Sequence, residues 1–176
     1  LGIYNAMNKG IRVATGDYIL FLNSGDFLYS PNTITQFVQS IPINDIIIGN
    51  INIVNEKQSL LVETASNNEF GFEHFYNGGW LPHQAMFIKR KLFLDYGYYN
   101  EKYKIAADFE FLVKVLLKGN ASYNHLNIIV SNFDSSGISS NEKFGTLHAI
   151  ERNEIFLTHV PYIYKSYFKL LKQCEK

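Results

Sequence analysis

Residues 1–28, LGIYNAMNKGIRVATGDYILFLNSGDFL, constrain this chain most, because they read as helix, tight turn, buried strand and acidic loop in succession. Ile3, Ala6, Met7, Ile11 and Ala14 recur at helical spacing, so one face of the first element is expected to pack inward. Gly16 is expected to stop that helix, since a residue without Cβ takes the left-handed conformation readily. Residues 18–22 form a continuous apolar run, the pattern of a strand covered on both faces. The run empties into Asn23-Ser24-Gly25-Asp26, with one carboxylate at the strand's C-terminal edge, where ligands bind in open α/β sheets. Asp26 therefore stands where a metal-bound phosphate could sit.

The rest of the chain reads as strands and helices in mixed order, as an α/β fold requires. Ser30-Pro31-Asn32 is a helix start signal, followed by an expected buried stripe of Ile34, Phe37, Val38 and Ile41 and a stop at Pro42. Strands are expected over 45–54, returning over 60–63 after a turn at 56–59, and over 84–88. Residues 65–79 lack clean periodicity and read as a mobile loop holding one short helix. Helices follow over 89–96, ended by Gly97, and over 106–118, stopped by Gly119. Residues 123–133 contain a last strand, and 146–172 are mostly helical. The organisation is therefore a domain over 1–145 with a C-terminal helical extension over 146–176.

Bulk properties exclude several classes. A length of 176 residues suits one domain with a real core. Lys plus Arg equals Asp plus Glu at 16 each, so no net field points to nucleic acid. The single cysteine, Cys174, rules out an internal disulfide framework and fits a reducing, cytoplasmic compartment. No apolar run approaches the ~18 residues of a transmembrane helix.

Among residues that could carry chemistry, Asp108 is the sharpest. At 100° per residue it shares a face with Phe111, Leu112 and Val115, the apolar side of its helix. An inward carboxylate must be paired, act as a cap, or be functional. Partial desolvation is expected to raise its pKa and improve it as a proton acceptor; the plainer role is a cap for a helix beginning near Phe109. Glu110 falls on the opposite side with Lys114 and Lys118 and reads as part of a solvated face. Asp26 could hold Mg²⁺ or Mn²⁺, which needs few protein ligands when substrate phosphates complete its shell; an Asp in a Gly-containing turn is the plainer reading. His83 and Gln84, at the entry of a strand, could hydrogen-bond a sugar or phosphate ligand, or be structural. Trp80 could offer a ring face to a sugar or sit in the core. Gly137 and Ser139 lie in a loop that could approach phosphates through backbone N–H groups, and a plain flexible loop explains the composition equally well. Residues 156–176 mix Tyr, Phe and Lys, a composition that could lie on an anionic membrane surface or dock on the domain.

The run GIYNAMNKGI-x-x-A-x-GDYI-x-FLNSGD, then His83-Gln84-Ala85-Met86-Phe87-Ile88, then Ala107-Asp108-Phe109-Glu110-Phe111-Leu112, then 133–139, resembles family-two glycosyltransferases with the GT-A fold, in the right order. The resemblance implies a mixed, Rossmann-like sheet flanked by helices and an inverting transfer from a nucleotide-diphosphate sugar to a glycan or lipid-linked acceptor. Cell-surface polysaccharide assembly is the implied setting; a cytoplasmic site with peripheral membrane contact through the C-terminal helix is the expectation from the cysteine count and the tail's composition. The resemblance implies Asp108 as general base, Asp26 as ligand of a divalent cation, and Arg152 near the donor phosphates. Asn23 and Gly25 depart from positions often acidic in the family, and Ser136 replaces the first Gly of a Phe-x-x-Gly-Gly-x-Ser loop. In that family a βαβ unit with the nucleotide-base pocket comes before this point, so the chain is expected to be an N-terminally incomplete piece holding the acceptor and catalytic half. The alternative is an inactive remnant acting as a carbohydrate- or partner-binding module.

Overall fold

A computed structural model of the chain describes residues 2–55, 59–62, 64, 72–77, 79, 81–135 and 145–174. Its centre is β3 (Ile46–Val54), where Ile46 and Ile48 point into one core cluster and Ile47 and Ile51 into another. A strand apolar on both faces belongs inside a sheet with cover on each side. Around it, β1 (Tyr18–Ile19), β5 (Met86–Lys89), β6 (Tyr123–Asp134) and β2 (Phe27–Leu28) complete a mixed sheet ordered β1-β5-β3-β6-β2. The strand β4 (Ser59–Val62) pairs with the outer half of β3, from Ile51 to Val54. Among the described residues β3 and β6 run parallel and the other pairings are antiparallel.

The larger core lies between the sheet and α1 (Ile3–Val13), α4 (Arg90–Tyr96) and α5 (Ala107–Leu112). Aromatic rings fill it: Phe93 stacks on Phe111 at 4.3 Å, and Tyr99 meets both edge-on. A π-helical segment, Val113–Lys118, continues α5. The smaller core holds Phe37 of α2 (Thr33–Gln39), stacked on Phe87 at 3.8 Å. Two further helices, α6 (Gly145–His159) and α7 (Tyr162–Cys174), follow β6; Ile155, Phe156 and Val160 pack against the larger core.

Several expectations are corrected. The buried face of α1 is Tyr4, Met7, Asn8 and Ile11, while Ile3 and Ala6 are exposed and Ala14 is only partly covered. Asn8 is tolerated there because its amide bonds Tyr99 O and Glu101 Oε1 and accepts from Tyr99 N–H. The helix ends where Ala14 turns extended, and positive φ occurs at Gly25 and Gly97 instead of Gly16. The 18–22 run yields only a two-residue strand at the end of the described sheet. Ile19 and Phe21 pack into the larger core and Tyr18 and Leu20 against the smaller one, so both faces are covered, while Leu22 is exposed. In α2 only Phe37 of the expected stripe is buried; Ile34, Val38 and Ile41 are exposed. The helix over 106–118 does stop at Gly119 as read, and Asn120 takes the left-handed turn after it. Pro161 divides the C-terminal helical stretch, since it lacks an N–H to continue the ladder. The strand over 45–54 and the helix ended by Gly97 form as read, whereas the strand expected over 84–88 forms as Met86–Lys89 because His83–Ala85 wind into a 3-10 turn ahead of it. The short helix of the 65–79 loop is α3 (Phe72–Tyr76).

Candidate active site

Asp108 sits in the first turn of α5 and lines a cavity of about 360 Å³ shared with Asp26, His83, Gln84, Asp134, His148 and Arg152. Its side chain is 20 % exposed, so it is held by protein yet open to the cavity. Oδ1 lies 2.9 Å from the Tyr4 hydroxyl and accepts the Phe109 N–H at 2.9 Å; Oδ2 lies 3.0 Å from His83 Nδ1. Tyr4 serves two acceptors with one proton, its oxygen also lying 2.6 Å from Ile105 O.

The plainer role of a helix cap is shared: Asp108 accepts the Phe109 N–H of the first turn, and Glu151 of α6 takes the donors ahead of it. Glu151 is buried and accepts the N–H groups of Lys104, Ile105 and Ala106 at 2.9, 3.0 and 3.0 Å. Those are donors just ahead of α5 and at its N-terminus, and a carboxylate there also meets the positive end of the helix dipole. No local sequence pattern marks Glu151 for this role beyond its being an acid three positions after His148, in a helix that packs on α5.

Burial works to raise the pKa of Asp108, but His83 by hydrogen bond and charge, then Tyr4 and the Phe109 N–H, outweigh it and hold the carboxyl below its ordinary value. The expected upward shift is therefore corrected: desolvation is real, and donors overcome it. Burial and the neighbouring Asp108 push the Tyr4 phenol well above its usual range, so it remains a donor.

Glu110 also departs from expectation. It is buried, with His159 Nε2 at 2.8 Å and Lys114 Nζ at 3.8 Å, because α6 covers the face of α5 opposite the cavity. Helical phase correctly separated Glu110 from Asp108, but both sides of this helix are covered.

The loop bearing Asp26 is fixed by its own carboxylate: Oδ2 accepts the Asn23 N–H at 2.9 Å and Oδ1 the Asp134 N–H at 3.1 Å. Gly25 has φ 96°, and a Cβ added there would meet Asp134 Oδ2 at 2.7 Å. The Asp134 carboxyl thus occupies the space a side chain at position 25 would fill. Two hard oxygen donors at one end of the cavity suit Mg²⁺ or Mn²⁺, which take one or two carboxylates and complete their shell with water and phosphate. Among the described residues no group of three or more His, Cys, Asp or Glu is arranged as a metal cage; a cation shared with substrate phosphates does not need one.

Arg152 also lines the cavity; its guanidinium lies 3.9 Å over the Phe109 ring and donates to Gly79 O at 3.1 Å. Burial and Arg152 depress the pKa of His148, so that ring favours its neutral form. Gln84 is buried on the cavity wall, and its carbonyl accepts the Ser131 hydroxyl at 2.7 Å. Trp80, Gly137 and Ser139 lie outside the described residues.

Comparison with known proteins agrees with this architecture. The model of glycosyl transferase family 2 matches residues 1–97. A PGL/p-HBAD biosynthesis glycosyltransferase of Mycobacterium bovis is 27 % identical over 147 residues, covering 80 % of this chain and 54 % of that protein. An uncharacterized glycosyltransferase of Mycobacterium tuberculosis is 29 % identical over 148 residues, covering 81 % and 54 %. The chain thus spans about half the length of the curated relatives it matches. Among solved structures, S. aureus TarS 1-349 in complex with UDP-GlcNAc superposes with a TM-score of 0.63 at 20 % identity, over 91 % of this chain and 48 % of that one. The same TarS segment without that ligand gives a TM-score of 0.59, again at 20 % identity, over 76 % and 40 %. The sheet and its helices are a GT-A fold, and the chain belongs to glycosyl transferase family 2.

Proposed function

We propose that this chain carries the base and one cation-binding acid of an inverting glycosyl transfer from a nucleotide-diphosphate sugar to a hydroxyl of a glycan or lipid-linked acceptor. Asp108 takes the acceptor O–H proton. The acceptor oxygen bonds to the anomeric carbon on the face opposite the diphosphate, and the carbon–oxygen bond to the diphosphate breaks with its electron pair leaving on that group. One displacement with one base inverts the anomeric centre. Asp26, with Asp134 beside it, would hold Mg²⁺ or Mn²⁺, which when bound neutralises diphosphate charge. Arg152, which lines the same cavity, is suited to the same phosphates.

The observation that carries this reading is Asp108 itself: kept ionised, partly exposed, and facing the same cavity as Asp26. A nucleotide-sugar donor draws support from the UDP-GlcNAc in the TarS structure. A glycan or lipid-linked acceptor of cell-surface assembly draws support from the M. bovis relative named for PGL/p-HBAD biosynthesis. The reading includes a cytoplasmic site at the inner membrane face, supported by α7, which exposes Tyr162, Ile163, Tyr164, Tyr167 and Leu170. No helix among the described residues is long and apolar enough to cross a membrane.

The test is a screen of the protein, as its cell makes it, against nucleotide sugars with product detection by mass spectrometry, followed by Asp108→Asn. Losing a general base is expected to lower kcat by roughly 10²–10⁴-fold with an unchanged circular dichroism spectrum. Near-normal turnover by that variant would refute the assignment.

A further inference from the structure

We propose that His83 is the positioning residue of this site: one imidazole tautomer orients the proton-accepting oxygen of Asp108 and ties it to the donor-side loop through Asn23. The inference rests on the glycosyl-transfer reading above. His83 lies in a 3-10 turn, His83–Ala85, immediately ahead of β5, and its side chain is 14 % exposed. Both ring nitrogens are engaged within the protein. Nδ1 lies 3.0 Å from Asp108 Oδ2, and Nε2 lies 2.9 Å from Asn23 Nδ2.

The chemistry of the partners decides the tautomer. The Asn23 amide nitrogen can only donate, so Nε2 must be bare to accept from it. A neutral imidazole then carries its proton on Nδ1 and donates it to the ionised Asp108. A carboxylate offers about four lone-pair sites. Tyr4 and the Phe109 N–H meet Oδ1, and His83 meets Oδ2. The lone-pair site left over is on Oδ2, the oxygen His83 aligns. The acceptor proton therefore passes to Oδ2, the Nδ1 proton stays on the ring, and no second proton moves. Asn23 opens the loop that Asp26 closes by accepting its N–H. A shift of the donor-side loop thus reaches the base through one ring.

Two amide replacements separate the two nitrogens. Asn places its amide nitrogen where Nδ1 stands, while Gln places its own nearer Nε2. Against a His83→Ala variant with kcat lowered roughly 10²-fold, His83→Asn is expected to recover most of kcat. His83→Gln is expected to recover little, and KM for the nucleotide sugar is expected to hold in all three. Recovery by Gln and not Asn, or a raised KM with kcat intact, overturns the proposal, the second outcome making His83 a donor ligand. The ¹⁵N spectrum of the unsubstituted protein gives a readout independent of turnover: a protonated Nδ1 with a bare Nε2 supports the bridge, and the opposite tautomer overturns it. Absence of turnover with every nucleotide sugar overturns the glycosyl-transfer reading, and the ring spectrum then still reports on the bridge itself.

Discussion

The Tyr4 hydroxyl oxygen lies 2.9 Å from Asp108 Oδ1 although 104 positions of chain separate the two residues. The contact locks the first turn of α1 over the start of α5, and it is one of the interactions that keep Asp108 ionised. Tyr4→Phe preserves the ring and removes this partner, so the Asp108 pKa rises. Activity that needs the charged form is lost as pH falls through that pKa. The acidic limb of the kcat/KM profile is therefore expected below the ordinary carboxylate range in the unsubstituted protein and at higher pH in Tyr4→Phe. An unmoved limb would show that Tyr4 spends its proton on Ile105 O.

Glu151 supports the site from beneath. Glu151→Ala leaves the N–H groups of Lys104, Ile105 and Ala106 without their shared acceptor. Hydrogen bonds to a charged group are worth about 1.5–3 kcal/mol each. Some of these donors will find water once the carboxylate is gone, so the expected loss is roughly 3 kcal/mol, read as a lower urea midpoint. Glu151→Gln keeps one acceptor oxygen and is expected to fall between. Wild-type stability in the Ala variant would mean that water replaces the cap fully.

How much of this was legible before the fold was known depends on how local each cause is. The inward direction of Asp108 follows from helical phase alone, and the structure agrees. The burial of Glu110 does not, because the cover comes from α6, whose His159 is 49 positions further along the chain. Tyr4 stood in the most informative segment and gave no sign of its partner, since nothing in i, i+4 spacing reports on a residue in another helix. The same limit explains residues 18–22: apolar content predicts burial, whereas a two-residue ladder at the end of the described sheet is a property of the pairing. Gly25 is the instructive departure. Read alone it was a missing acid; in the fold, Asp134 of β6 brings a carboxyl into that space.

That arrangement predicts how cation dependence responds to substitution. Asp26→Asn keeps one acceptor oxygen but turns its amide nitrogen toward the other backbone N–H, so the loop is expected to be weakened by about 1.5–3 kcal/mol while one negative ligand is lost. Stimulation of turnover by Mn²⁺ or Mg²⁺ is expected to require at least tenfold more metal, a differential of about 1.4 kcal/mol. Direct Mn²⁺ titration by paramagnetic broadening of resonances near Asp26 and Asp134 gives the same comparison without turnover. Equal affinity in both proteins would remove Asp26 from the cation site.

The stability of the fold should fall on mild acidification, and the sign follows from three histidines. His159 lies 2.8 Å from Glu110 and 3.5 Å from Lys118. Burial depresses its pKa, and Lys118 and Lys114 reinforce this against the opposing pull of Glu110. Burial likewise depresses His74 and His148, each with Arg152 nearby. In the unfolded chain these rings take up protons near pH ~6.5; in the fold they do so at lower pH. Below about pH 6.5 the unfolded state therefore binds more protons, and stability declines from there down through the folded-state values. Above that pH these groups contribute no slope. Asp108 and Asp45, both held low in the fold, extend the decline further, beginning near pH ~3.9, where an unfolded carboxylate protonates. The urea midpoint is expected to be level between about pH 7 and 8 and to drop steadily below about 6.5. His159→Gln is expected to flatten the upper part of that drop, because Gln occupies the pocket without titrating. A midpoint that rises between about pH 7 and 5 would mean that the Glu110 carboxylate holds His159 charged inside the fold.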